Sequence, residues 1–314
     1  MNFADRLIAS CREADSVSVV GLDPHWEMLP ESFKRDLPDE PEERAQTVAD
    51  RVGEFCRGII EVAADCAPAV KPQIAFYEQL GWRGMRLYAD LARYAKEAGL
   101  LVIGDIKRGD IGSTATAYAN AHLAPDAKSP LRTAPFEVDA VTVNAYMGAD
   151  AVMPFKRAVE DAGKGMFILV RTSNPAAAEL QLADCGGRPL WNRVADLAAR
   201  LGADSIGACG YSSVGAVIGA TDPVSLKQAR GVMPNAPFLI PGYGAQGGGA
   251  AELAPAFDKD GIGSVVNSSR GILFAFRSEP WKSQFGEAGW KDAARAALLE
   301  MNAELNRARR AGKA

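Results

Sequence analysis

The sequence predicts an α/β fold, a single (β/α)8 barrel, from three observations. Its 314 residues are 48% hydrophobic and 24% charged, enough apolar content for a core of that size and unlike a disordered chain or a coiled coil. Eight short apolar runs alternate with eight helical patterns, the mark of repeated parallel βα units. Several of these runs, such as 100–103 and 167–170, are continuously apolar, as strands buried on both faces must be. Doubly wound sheets share the alternation, but eight units in this length favour closure into a barrel, and barrels of about 250 residues or more fold as one unit. The expected organisation is one domain over 1–314, its barrel between about 16 and 277, with a helical appendage over about 286–310.

The strands and helices follow in order. The run 16–23 (SVSVVGLD) is the first strand, and an acidic, proline-rich stretch over 24–43 leads into a helix over 43–64. Residues 68–75 form the second strand, and a helix over 79–98 stops at Gly99, where glycine readily takes the left-handed turn that ends helices. The third strand is 100–107, followed by a helix over 113–123. Strand 138–144 precedes a helix over 148–162, and strand 166–171 precedes one over 189–201. The sixth strand is placed at 205–209 with a helix near 222–231, the seventh at 237–241 with a helix near 247–257, and the eighth at 262–267 with a helix near 270–277. The stretches 24–43 and 124–137 are long for barrel connections and are expected to decorate its rim.

Composition excludes several function classes. Lys and Arg total 35 against 39 Asp and Glu, a net charge of -4, which argues against nucleic acid or an anionic membrane as a partner held by bulk charge. A small basic site for a phosphorylated metabolite is still compatible. No apolar run approaches the roughly 18 residues of a membrane span, and the first fifteen residues carry acids without the apolar core of an export signal. The cysteines Cys11, Cys56, Cys66, Cys185 and Cys209 are odd in number and lack a C-x-x-C pair, so neither a disulfide framework nor a zinc site is expected. A reducing cytoplasm is the expected setting. The two histidines, His25 in a loop and His122 at a helix end, read as surface or capping residues. Acid–base work then falls to lysines and carboxylates.

In a barrel, chemistry belongs where the strands end. Asp23 closes the first strand, Lys71 lies in the second, and Asp105 and Lys107 close the third, two apart and therefore on one side of it. Asp110 follows in the loop. Taken alone, D-x-K-x-x-D is a solvated turn whose Asp110 or Ser113 caps the next helix. Lys71 and Asp23 at equivalent heights make it a cluster in which acids and lysines alternate, and charges turned into a barrel mouth must pair. At the seventh strand end, 241–249 reads PGYGAQGGG, and SSRG follows at 268–271. Loops after strands seven and eight form the common phosphate pocket of barrels. Glycines there expose backbone N–H groups, Gln246 adds a neutral donor, and Arg270 supplies a two-pronged clamp.

The segment 105–114, DIKRGDIGST, resembles the active-site signature of the orotidine 5'-phosphate decarboxylase family, in its bacterial subgroup. The resemblance extends to GLDPH at 21–25, VKPQIAF at 70–76, TSNP at 172–175, PGYGAQGG at 241–248 and Arg270, in family order over nearly the whole chain. It implies a (β/α)8 barrel acting as a homodimer, without metal or organic cofactor, that converts orotidine 5'-monophosphate into UMP and carbon dioxide in pyrimidine biosynthesis. It further implies Lys107 as proton donor, Asp105 beside the leaving carboxylate, and Lys71 and Asp110 completing the network. Asp110, Ile111 and Thr114 would reach into the partner's site. Asp23 would hold ribose hydroxyls, Ser173 the pyrimidine edge, and Pro241, Gly242, Gln246 and Arg270 the phosphate end.

Three alternatives share parts of this pattern. Phosphosugar enzymes of the same superfamily use D-x-K-x-x-D with a magnesium ion to stabilise an enediolate, but the K-R-G-D-I-G-S-T and R-T-S-N-P blocks speak against them. A Schiff-base aldolase needs a neutral lysine, whereas Lys107 has acids around it. A non-catalytic sensor of phosphorylated ligands would not need intact charges at all four network positions.

Overall fold

The computed structural model describes residues 1–219, 223–243 and 249–311. Eight parallel strands, β1 (Ser18–Leu22), β2 (Ala69–Pro72), β3 (Leu101–Arg108), β4 (Ala140–Val143), β5 (Gly165–Arg171), β6 (Val214–Ile218), β7 (Phe238–Ile240) and β8 (Ser264–Ser268), close in sequence order into a barrel. Closure is the β1–β8 ladder, with Val19 opposite Asn267. Helices α1 (Phe3–Glu13), α2 (Pro41–Ala64), α3 (Ala75–Glu78), α4 (Gly81–Glu97), α5 (Gly112–His122), α6 (Met153–Ala162), α7 (Ala177–Gln181), α8 (Leu190–Gly202), α9 (Pro223–Val232), α10 (Arg270–Leu273), α11 (Trp281–Phe285) and α12 (Trp290–Ala311) accompany them. Among the described residues no helix is long and apolar enough to cross a membrane.

Several expected elements move. The sixth strand is not at 205–209: that segment is a turn in which Gly207 N–H donates to the Tyr211 carbonyl at 2.8 Å and Ile206 pairs with Ser212 in an isolated antiparallel bridge. The apolar weight lies further on, in VGAVI, all five residues buried. Residues 250–256 form a 3-10 helix with Pro255 inside it, because a ring without an N–H cannot sustain an α-helix interior. The helix expected from 79 starts at Gly81 after the short α3, and the one expected from 148 starts at Met153. Residues 124–137 join α5 to β4, so they lie at the end where strands begin, away from the strand ends that carry the charges.

That end is closed by α1, an element absent from the predicted series of strands and helices. Asn2 caps it, its side chain accepting from Asp5 N–H at 2.9 Å. Phe3, Leu7 and Cys11 join the core, the Phe3 ring meeting Phe167 edge-on at 5.9 Å. Burying each large apolar side chain contributes roughly 1.5–3 kcal/mol. Arg6 donates to Asp139 Oδ1 at 2.5 Å, while Asp139 Oδ2 accepts from Val102 N–H at 2.9 Å, tying α1 to the starts of β3 and β4. At the other terminus, α12 buries Leu298 and Leu305 and packs Trp290 against Phe55, the ring centroids 4.7 Å apart and the planes tilted by 31°. Its buried Asn302 accepts from Ser16 Oγ at 2.8 Å and donates to the Cys66 carbonyl at 2.7 Å.

His122 is a second correction, being neither surface nor cap. With Ala115 and Ala119 it forms the buried stripe of α5, the i, i+4, i+7 spacing of a core-facing helix. Its ring lies 5.4 Å from Phe136 and 6.1 Å from Tyr88. Burial, with a smaller contribution from Arg108, pushes its pKa from 6.5 down to about 4. Protonation therefore favours the unfolded chain, and stability present above pH 6.5 is lost as pH falls towards 4. Urea titrations across that window should show wild type losing stability with falling pH, and His122→Gln losing distinctly less.

Candidate active site

The strand ends converge on one carboxylate. Asp105 Oδ2 accepts from Lys71 Nζ of β2 at 2.8 Å and from Gln73 Nε2 at 3.0 Å. Its Oδ1 accepts from Lys107 Nζ at 2.6 Å and from Thr142 Oγ1 of β4 at 2.8 Å. Asp105 and Lys71 are 6% and 4% exposed. Burial opposes the Asp105 charge, yet the two ammonium groups and their hydrogen bonds outweigh it and hold the carboxyl well below the usual carboxylate range. Burial likewise works against the Lys71 ammonium, but Asp105 and Asp23 push its pKa above the ordinary lysine value. A buried charge is tolerable only when paired and hydrogen-bonded in this way.

Lys107 differs from Lys71 in two respects. Its side chain is 47% exposed, so its ammonium faces the open end of the barrel. Its φ is +46°, a left-handed backbone that is strained for a residue with a side chain and that clusters at functional sites. The cause is local: the β3–β4 register slips between Gly104 and Arg108, and in the slipped stretch Lys107 N–H donates to Thr142 Oγ1 at 3.0 Å. The expectation that Asp105 and Lys107 share a side is realised through this irregularity rather than through a regular pleat.

Around the cluster lie groups with unused bonding capacity. Asp23 Oδ1 and Asn267 Oδ1 are buried without a hydrogen-bond partner. Gly21 packs against Ser269 and Asn267, and an added Cβ would lie 1.9 Å from Ser269 Oγ, 2.8 Å from Ser269 Cβ and 3.2 Å from Asn267 Oδ1, so a side chain there would force its neighbours to shift. Ser173 is half-buried after β5. Its turn is held by Gln181, whose Oε1 accepts from Thr172 N–H at 2.9 Å and from Arg171 Nη1 at 3.0 Å.

At the β7 and β8 ends, Pro241 and Gly242 are half-buried, with Gly242 at φ +90°, a conformation glycine takes without strain. Tyr243 Oη donates to Glu304 of α12, linking that turn to the last helix. Gln246 lies outside the described residues. Arg270 is exposed, and no ion pair or hydrogen bond engages its guanidinium among the described residues.

Asp110 is not drawn into this cluster. Its Oδ1 accepts from Ile111 N–H at 2.8 Å, and α5 begins at Gly112 with Ile111 at the N-cap position and no side-chain cap, so neither Asp110 nor Ser113 caps it. Ile111 and Thr114 are exposed. Gln73 and Thr142 join the site without having been predicted for it. Gln73 stands within the VKPQIAF block, where a polar side chain just past a strand end was the available signal. Thr142 sits in an unremarkable apolar strand and carries no motif.

Similarity to known proteins agrees with this fold. A family model described as "Orotidine 5'-phosphate decarboxylase / HUMPS family" matches residues 18–278. The chain is 44% identical over 305 residues to the orotidine 5'-phosphate decarboxylase of Rhodopirellula baltica, covering 97% of this chain and 99% of that protein. It is 39% identical to the enzyme of the same name from Clostridium novyi, covering 96% and 98%. Among solved structures, an OMP decarboxylase from Leishmania donovani superposes with a TM-score of 0.74 at 31% identity, covering 98% of this chain and 99% of that one.

Removing the central charge should unmask its neighbours. Asp105→Asn leaves Lys71 buried without its carboxylate and should cost about 3–5 kcal/mol of stability, read by urea unfolding. Adding Lys71→Met should recover much of that loss, since the buried charge is then gone.

Proposed function

The chain belongs to the orotidine 5'-phosphate decarboxylase / HUMPS family, and we propose that its barrel mouth decarboxylates orotidine 5'-monophosphate to UMP with Lys107 as the proton donor. The observation that carries the assignment is the asymmetry of the two lysines on Asp105, one buried and one facing the open end. Loss of carbon dioxide from C6 leaves an electron pair that the pyrimidine ring delocalises poorly. An ammonium held beside C6 stabilises the developing charge and then delivers its proton there. Asp105 fixes Lys107 Nζ at 2.6 Å and presents its own negative charge towards the departing carboxylate. Lys71 balances that charge from the buried side.

The other roles are assigned by position. Arg270, exposed and unengaged among the described residues, clamps the phosphate together with Gln246 and the backbone around Pro241 and Gly242. Asp23, with a buried acceptor lacking a donor, takes a ribose hydroxyl. Ser173 meets the pyrimidine edge. Rate accelerations of about 10¹⁷-fold correspond to roughly 23 kcal/mol, more than one lysine supplies, so phosphate binding must contribute by orienting the ring.

We further infer a homodimer with shared sites. Asp110 stands outside its own cluster, and the loops after β3 and β4 expose Ile111, Tyr146 and Met147, at 50%, 75% and 50%. Apolar exposure of that kind marks an interaction surface. Asp110, Ile111 and Thr114 would then complete the neighbour's site. The free cysteines suit a reducing cytoplasm.

Two measurements test this reading. Lys107→Ala should lose turnover of orotidine 5'-monophosphate by many orders of magnitude while still folding and binding UMP, as followed by pyrimidine absorbance; a near-normal kcat would refute the assignment. Mixing inactive Lys107→Ala and Asp110→Ala homodimers should restore activity on subunit exchange. Each heterodimer then has one doubly damaged and one intact site, giving up to about half of wild-type activity under two-fold symmetry. No recovery after demonstrated exchange would place Asp110 in its own subunit's site.

A further inference from the structure

The hydroxyl of Thr142 links the backbone of Lys107 to the carboxylate that holds its ammonium. Oγ1 accepts the Lys107 backbone N–H at 3.0 Å and donates to Asp105 Oδ1 at 2.8 Å, the same oxygen that accepts from Lys107 Nζ at 2.6 Å. The path from backbone nitrogen through hydroxyl and carboxylate to the ammonium closes a ring on one residue. We propose that Thr142 is a positioning residue for the decarboxylation, fixing both the left-handed backbone and the ammonium of Lys107 without touching substrate. The inference rests on the assignment of Lys107 as proton donor.

Three features support it. The register slip between Gly104 and Arg108 takes Lys107 out of the regular β3–β4 ladder, so a side chain must serve its N–H. Lys107 stands at φ +46°, a conformation that persists only where surrounding structure imposes it. Thr142 is 1% exposed on β4, with neighbours Val141 and Val143 also buried, so its hydroxyl enters the mouth from a rigid wall. A long lysine stem has many rotamers, and pinning both of its ends removes most of them before the substrate arrives.

Thr142→Val keeps the branched shape and removes the hydroxyl, leaving the Lys107 N–H and one Asp105 lone pair without a partner. We expect kcat to fall about 10- to 100-fold, the size expected for a hydrogen bond to a charged group, with KM for orotidine 5'-monophosphate and the affinity for UMP within about twofold of wild type. Thr142→Ser, which retains the hydroxyl, should recover most of that loss. If Thr142→Val does not fold, Thr142→Ala carries the same expectation, with UMP binding as the measure of folding. A wild-type kcat in the folded valine or alanine variant would overturn the role of Thr142. So would a serine variant as slow as the valine one, or a loss seen in KM alone. Wild-type protein inactive on orotidine 5'-monophosphate would overturn the assigned activity itself, and this inference with it.

Discussion

A buried carboxylate that must be satisfied on every side sets the terms for this barrel mouth. Asp105 takes two hydrogen bonds on each oxygen, from β2, the turn after β2, its own strand and β4. Stripping water from a carboxylate costs several kcal/mol even after relaxation, and only this full set of donors offsets it. The requirement acts on backbone geometry as well as on side chains. Lys71 reaches Oδ2 because β2 and β3 are in parallel register, and Thr142 reaches Oδ1 because the register that pairs Gly104 with Val141 brings Asp105 beside it. A one-residue change in either ladder would turn a donor away and strand the charge.

The sequence disclosed the architecture better than the local geometry. Seven of the eight strands lie where continuous apolar runs place them. The sixth differs because 205–209 and 214–218 are both short and apolar, and the glycines that make the first a turn are also common at strand ends. Helix α1 is hard to read because Phe3, Leu7 and Cys11 lie on one face of a short segment that stands ahead of the first βα unit and outside the alternating pattern. His122 shows the same lesson at one residue: its stripe with Ala115 and Ala119 is present in the letters, but the alanines carry weak hydrophobic signal. Asp23, Lys71, Asp105 and Lys107 are legible because charges at strand ends stand out against the apolar runs they close, and are costly there unless they pair. Thr142 is not, since a threonine in a strand is ordinarily a β-former, and only the slipped register turns its hydroxyl into a link between the backbone of one residue and the carboxylate of another.

The rim between β1, β7 and β8 follows a different rule, one of space kept open. Gly21 leaves room for Ser269 and Asn267, and Gly242 turns the chain through a conformation closed to most side chains. The neighbouring Tyr243 is tied through its hydroxyl to Glu304, so the last helix bears on the turn where the segment proposed to bind phosphate begins. That contact gives α12 a connection to the site in addition to its burial against α2, and gives a structural reason for a barrel already closed at β8 to carry a further long helix.

The two halves of the mouth therefore divide the work by how complete they are before substrate arrives. On the β2–β4 side each Asp105 oxygen already accepts two hydrogen bonds, and the geometry is fixed. On the β7–β1 side Arg270 has no partner among the described residues, and Asp23 and Asn267 each present an acceptor without a donor. Unsatisfied buried groups cost stability, so they persist where a ligand supplies what is missing. A substrate carrying a phosphate and ribose hydroxyls would satisfy that side on binding, and the free energy released would press its pyrimidine against the side that cannot yield. Under the proposed activity, binding energy from the remote end would be converted into chemistry at C6, because the lysine and carboxylate proposed to meet the ring are already held in place.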